Sequence, residues 1–279
     1  MLPRPAGELV VTTDMMVEGV HFLPDDPPAD IAWKLVATNL SDLAAKGARP
    51  LGILLGYPLL GSADWHEAFV DGLAETIHAL DAPLLGGDTV APRSGLRTLS
   101  VTALGTAPDG GAPSRAGAKP GDGLWVTGTL GDAGAGLRAL RGHGPEEGYA
   151  IARYRRPEPR LVEGAALAPH VSAMMDVSDG LLIDLSRLAA ASGVGARVDL
   201  ARLPLSPAFV RASGEDRNAR LFAATAGDDY ELLFAMAGKP PVPATRVGEI
   251  VDGAGVMLSD GCERVALPTK LGWEHGTSS

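Results

Sequence analysis

The chain has 279 residues, a single cysteine and a formal charge of −10 at neutral pH. That length lies where one hydrophobic core stops growing and two domains become the expectation. One thiol, Cys262, excludes a disulfide within the chain, and the acidic balance argues against a general nucleic-acid binder, whose affinity rests on Lys and Arg neutralising phosphates.

In chain order, Leu9 to Phe22 is rich in β-branched and apolar types and reads as strand, turn, then strand or loop, interrupted by Asp14 and His21. Ile31 to Lys46 has helical periodicity, closed by Gly47 and Pro50, and its Asn39 and Asp42 share one face. Met15 and Met16 read as core packing. A strand at 52–57, a helix at 64–80, a turn at GGD (86–88) and a strand at 98–105 complete a first α/β unit. The Gly- and Pro-rich stretch 106–123 reads as a linker.

The second unit opens with a strand at 124–128, then GTLGDAGAG and a helix. Helices follow around Ala150 and at 161–167, with RRPEPR (155–160) between them as a surface patch. DVSDG leads into the amphipathic helix LLIDLSRLAAAS, a strand lies near 196–200, and GDDYELLF sets two Asp residues before a strand. LGILLGYPLL at 51–60 is too short and too interrupted to cross a bilayer, no signal peptide pattern opens the chain, and the cytoplasm is the expected compartment.

Aspartates recur in small, Gly- or Ser-flanked contexts: Asp14, Asp42, Asp88, Asp176, Asp179, Asp228 and Asp229. Strands and apolar helices deplete Asp, because its short side chain competes for backbone hydrogen bonds and resists desolvation. Two charges about 4 Å apart interact by roughly 4 kcal/mol at an effective dielectric near 20, so carboxylates facing phosphates need intervening cations. Mg²⁺, held by a few carboxylates and substrate phosphates, suits that need and points to phosphoryl transfer. Bland readings stand beside this one: N-capping for Asp176 and Asp179, a turn for Asp88, a solvated helix face for Asp42, and a tight strand-to-helix connection for GTLGDAGAG. GxxxxGK[ST], GxGxxG and the protein-kinase signatures are absent, so ATP would need another architecture. His21 lacks partners at zinc-ligand spacing.

Taken in order, TTDMMVEGVHF, NLSDLAAKGARP, LLGGDTV, SRAGAKPGD, DVSDGLLIDL, GDDYELLF and the terminal GW resemble the thiamine-monophosphate kinase family over nearly the whole chain. That family belongs to the aminoimidazole ribonucleotide synthetase superfamily, whose members use ATP without a P-loop. The resemblance implies an α/β fold of α+β type with two domains, each a mixed β-sheet flanked by helices. Residues 1–107 would be an N-terminal metal- and ATP-binding, dimerising domain, and 118–275 a C-terminal substrate- and nucleotide-binding domain. The implied reaction is ATP-dependent phosphorylation of thiamine monophosphate to thiamine diphosphate by a homodimer that uses several Mg²⁺ ions.

Carried over by motif, the implied metal positions are Thr13, Asp14, Asp42, Asp88, Asp176 and Asp179, with Asp42, Asp176 and Asp179 at the centre of catalysis. Gly87, Asp88, Arg115 and Ser178 are the implied nucleotide contacts, and His21, Asp228 and Trp273 the thiamine-phosphate contacts. Family members begin with a further segment ending in a GDD-type motif, whereas Met1 here lies just before the strand carrying Asp14. A start assigned too far downstream is the expectation, with a truncated chain as the alternative. The competing functions are another enzyme of the superfamily and a non-catalytic nucleotide- or thiamine-phosphate-binding protein.

Overall fold

The computed structural model describes residues 7–274; residues 1–6 and 275, the outer ends of the two expected domains, lie outside the described residues. The first sheet contains β1 (Leu9–Val17), β2 (Arg49–Pro58), β3 (Leu84–Val90) and β4 (Thr98–Thr106), in the order β1-β4-β2-β3. β3 runs parallel to β2, and the remaining pairs are antiparallel. The GGD sequence, expected as a turn, lies inside β3. Gly87 is in register with Leu55, and a Cβ on it would meet the Leu55 carbonyl oxygen at 2.1 Å, so the glycine permits a close backbone approach rather than a reversal.

Helices α1 (Pro28–Ala44) and α2 (Ala63–Ala79) cover one face of this sheet. Pro28 suits the first turn of α1, where its missing N–H costs nothing, and Gly47 at φ +59° ends it. Ser62 caps α2 by accepting from the Trp65 N–H. Leu35, Leu40 and Leu43 of α1 are fully buried, each contributing about 1.5–3 kcal/mol of hydrophobic stabilisation. The two-residue period of β1 splits the methionine pair: Met16 enters the core, whereas Met15, also expected there, is 59 % exposed on the uncovered face.

The second half holds β5 (Gly123–Val126), α3 (Asp132–Leu140), α4 (Gly148–Arg155), α5 (Leu161–Leu167), β6 (Ala173–Asp176), α6 (Leu181–Ser192) and β7 (Gly195–Asp199). It continues with α7 (Pro207–Ser213), α8 (Arg217–Thr225), β8 (Leu232–Met236), β9 (Thr245–Val251), β10 (Gly255–Asp260) and β11 (Glu263–Val265). Its seven strands are ordered β11-β10-β7-β9-β5-β8-β6 in a mixed sheet. β8 is buried throughout. Leu233 and Ala235 face the cluster under α6, while Leu232, Phe234 and Met236 face Ala44 and Ala45 at the end of α1. The sequence pattern does not single out β6, α7, α8 or β9 to β11.

That contact joins the halves. Gly164 of α5 lies so close to α1 that a Cβ there would meet the Ala44 carbonyl oxygen at 2.0 Å. RRPEPR, expected as a surface patch, is the other half of the junction. Arg155 pairs with Asp26 at 2.8 Å and Arg156 with Asp30 and Glu75 across the two halves, while Arg160 pairs with the fully buried Glu231 of its own half. The Trp33 indole donates to the Pro157 carbonyl at 2.8 Å. Short-range composition marks such a run as exposed; it is the acidic partners, distant in sequence, that draw it inward. No helix among the described residues is long and apolar enough to cross a membrane.

Candidate active site

A cleft of about 570 Å³ lies between the two halves. Its first wall is built by α1 and β1. Lys34, Thr38 and Asp42 recur every fourth residue on α1 and so line one face of the cleft. Asp14 lies opposite them on β1, with its backbone N–H donating to the Asn39 amide oxygen at 3.0 Å. The buried Asn39 donates in turn to the Leu35 carbonyl, which satisfies it inside an otherwise apolar helix. Thr12, on the same face of β1 as Asp14, donates its hydroxyl to Asp42.

The second wall comes from the C-terminal end of β6. Asp176 is the last residue of that buried strand and accepts from the Ser41 hydroxyl of α1 at 2.6 Å, so one hydrogen bond spans the two halves. The loop that follows would need a cap for α6. Asp184, in the first turn of α6, provides it by accepting from the backbone N–H groups of Ser178, Asp179 and Gly180 at 3.0–3.2 Å. Neither Asp176 nor Asp179 caps the helix with its side chain, so both carboxylates are available to the cleft.

Charge is unevenly compensated. Asp179 pairs with Arg187, and Asp228 with Lys34, whereas Asp14, Asp42 and Asp176 have no ion-pair partner among the described residues. Burial, then the Asp42 charge, pushes Asp176 up to about 7. Loss of water on the cleft wall, then Asp42 and Asp179, pushes Asp14 up to about 6. Burial also lifts Asp184 to about 6, although its backbone donors and Arg187 pull the other way. Among the described residues no three His, Cys, Asp or Glu side chains form a ready-made metal cage. The donors are nonetheless hard oxygens without cationic partners, a set that fits an ion such as Mg²⁺ completed by water and substrate phosphates.

The remaining expected residues divide clearly. His21, Ser178, Asp228 and Trp273 line the same cleft. His21 Nδ1 accepts from the Val17 N–H at 3.0 Å, so in the neutral ring Nε2 carries the proton. Trp273 is anchored through its backbone N–H on the Asp179 carbonyl, and Gly272 allows that approach. Thr13 borders the cleft, but its hydroxyl donates to the Val101 carbonyl and accepts from Thr102. Thr12, one residue earlier, supplies the hydroxyl on the Asp42 side. Gly87 and Asp88 sit on β3, at the opposite edge of the sheet from β1, and Arg115 is exposed in the connection between the halves; none of the three lines the cleft.

Several members of the site escape a reading by motif. Lys34 and Thr38 lie in an apolar helix, Asp184 reads as part of an amphipathic face, and Arg141 follows α3 without a distinctive context. The fourfold spacing from Lys34 to Asp42 is the signal that would have found the first two.

The description "AIR synthase related protein, N-terminal domain" fits residues 2–107, and the corresponding C-terminal domain fits residues 119–260. A thiamine-monophosphate kinase of Caulobacter vibrioides is 45 % identical over 290 residues, covering 98 % of this chain and 82 % of that protein. The crystal structure of the thiamine-monophosphate kinase from Stenotrophomonas maltophilia superposes with a TM-score of 0.83 at 42 % identity, covering 92 % of this chain and 86 % of the other. AaThiL complexed with AMPPCP and TMP gives a TM-score of 0.83 at 32 % identity, with 96 % and 87 % covered.

Proposed function

The chain belongs to the thiamine-monophosphate kinase family, and on that premise we propose that its cleft transfers the terminal phosphate of ATP to thiamine monophosphate, giving thiamine diphosphate and ADP. The observation that carries this reading is the convergence of Asp14, Asp42 and Asp176, from both halves, with no ion-pair partner among the described residues.

In the reaction, an oxygen of the acceptor's phosphate forms a bond to the γ-phosphorus as the bond to the β–γ bridging oxygen breaks. That acceptor oxygen is already ionised near neutral pH, so no strong general base is required, in keeping with a site rich in Asp. What the chain supplies is position. Trp273 offers an aromatic face to the cationic thiazolium or the pyrimidine, and Asp228 and His21 bound the same end. Ser178, at the N-terminal side of α6, is suited to the nucleotide. Asp14, Asp42, Asp176 and Asp179 would hold Mg²⁺, which would neutralise phosphate charge and orient the two reacting groups.

Asp88 and Gly87 enter this scheme through a second copy. β1 and β3 are opposite edges of one sheet, so a site using both Asp14 and Asp88 draws them from two chains. The uncovered face of the sheet supports a homodimer: Leu9, Val11, Met15, Leu54, Leu84 and Val90 are each more than 40 % exposed there. Arg115 would reach the nucleotide from the connection between the halves. A cytoplasmic location accords with a soluble nucleotide donor and with one unpaired thiol.

The test is direct. Incubation with ATP and thiamine monophosphate should yield thiamine diphosphate by chromatography, cease with a chelator and resume with added Mg²⁺. Retention of both ligands without product would identify a binding protein instead.

A further inference from the structure

Lys34 is 3 % exposed in α1, where an unpaired ammonium would be strongly disfavoured. It donates to the His21 carbonyl at 3.1 Å and to Asp228 Oδ2 at 2.9 Å, and its Nζ lies 3.8 Å from the centre of the Tyr154 ring. An ammonium has three donor hydrogens, and here it has three partners. They come from three segments: the turn after β1, the turn before β8, and α4. The first belongs to one half of the molecule, and the others to the second half.

The turn before β8 needs such an anchor. Asp228 has φ +61° and Tyr230 φ +51°, a region that side-chain-bearing residues adopt at a cost unless neighbours hold them. The Asp228 carboxylate is fixed at both oxygens, by Lys34 on one and by the Tyr230 hydroxyl on the other. His21 is fixed by Val17 on its ring and by Lys34 on its carbonyl. Lys34 therefore touches both segments bounding the acceptor end of the cleft. The carboxylates Asp14, Asp42 and Asp176 do not contact it within ion-pair distance.

We propose that Lys34 is a positioning residue for the acceptor: it locks the His21 turn to the Asp228 turn across the two halves, and so sets the affinity for thiamine monophosphate without setting that for the nucleotide. This rests on the thiamine-monophosphate reading of the cleft. Calorimetric titration with thiamine monophosphate and, separately, with the ATP analogue AMPPCP would test it on wild type, Lys34→Met and Lys34→Arg. Lys34→Met should weaken thiamine monophosphate by about tenfold or more while AMPPCP stays within about twofold, and Lys34→Arg should recover part of the loss.

Because Lys34→Met leaves a carboxylate unpaired, the double variant Lys34→Met/Asp228→Asn provides a folded control. Its loss of acceptor affinity should fall short of the sum of the Lys34→Met and Asp228→Asn losses, since the two side chains share one contact. Unchanged acceptor affinity in Lys34→Met, equal weakening of both ligands, or additive losses in the double variant would each overturn the proposal. Wild type that binds thiamine monophosphate yet forms no thiamine diphosphate would overturn the kinase reading instead.

Discussion

The two sheets of this molecule solve the problem of burial differently. The seven-stranded sheet is covered on both faces at β8, one strand in from its edge, where no residue is solvent-exposed, and the face that β7 and β9 turn to solvent carries the charged Arg197, Arg246 and Glu249. The four-stranded sheet has helices on one face, while the other carries exposed Leu9, Val11 and Met15 on β1 alone. A complete half and an incomplete half teach where to look for a partner. They also differ in how they present acid to the cleft: the first from within a strand and from the last turn of a helix, the second from a strand's final residue and the loop after it.

Removing one acid from each half should have the largest effect. Asp42→Ala and Asp176→Asn should each lower kcat by about 10³-fold or more in a steady-state assay, with thermal unfolding close to wild type, if both halves serve one site. A large loss in one variant and normal turnover in the other would assign catalysis to a single half. Next in size is the buried charge cluster inside the second half. Glu231 is fully buried and takes Arg153, Arg160 and the Thr127 hydroxyl, so Glu231→Ala, which strands two guanidinium groups, should cost about 3–5 kcal/mol in denaturant unfolding.

The uncovered face gives a third test. Met15→Glu should convert a dimer to monomer in light scattering and lower activity with it, whereas Val162→Ser, at an isolated position 81 % exposed, should change stability by no more than about 0.5 kcal/mol. Dimers that survive Met15→Glu would locate the interface elsewhere.

The smallest effect is one of pH. Asp176 is raised from 3.8 to about 7 in the folded protein, so between those values the folded state holds a proton that the unfolded chain releases. The unfolded state then binds fewer protons, and the stability of metal-free protein falls as pH rises through that window. Asp176→Asn should flatten this fall in melting temperature, and Mg²⁺ should raise the wild-type melting temperature more at pH 8 than at pH 5.5, because its ligands must be deprotonated.

Much of the site was legible because short Asp motifs stand out against apolar surroundings. Asp14, Asp42, Asp176, Asp179 and Asp228, far apart in sequence, line one cleft. Long helices with clear periodicity were equally plain, as α1 and α2 show. What escaped was set by distant contacts. Arg155, Arg156 and Arg160 read as solvated until Asp26, Asp30 and Glu231 are brought to them. β6 is four residues long, too short to show a period, and GGD uses its glycines for a close strand approach that resembles a turn in composition. Lys34 was hidden because α1 buries apolar residues on several sides, and only its fourfold spacing from Asp42 places it on the cleft face.

The identity of the acceptor separates a thiamine-monophosphate kinase from every other reading of this cleft. ADP release from ATP should be measured in Mg²⁺ with thiamine monophosphate and, in parallel, with unphosphorylated thiamine. Turnover with the monophosphate and none with thiamine is the predicted result, since the attacking group is a phosphate oxygen. Comparable turnover with both acceptors, or none with either despite binding, would contradict it.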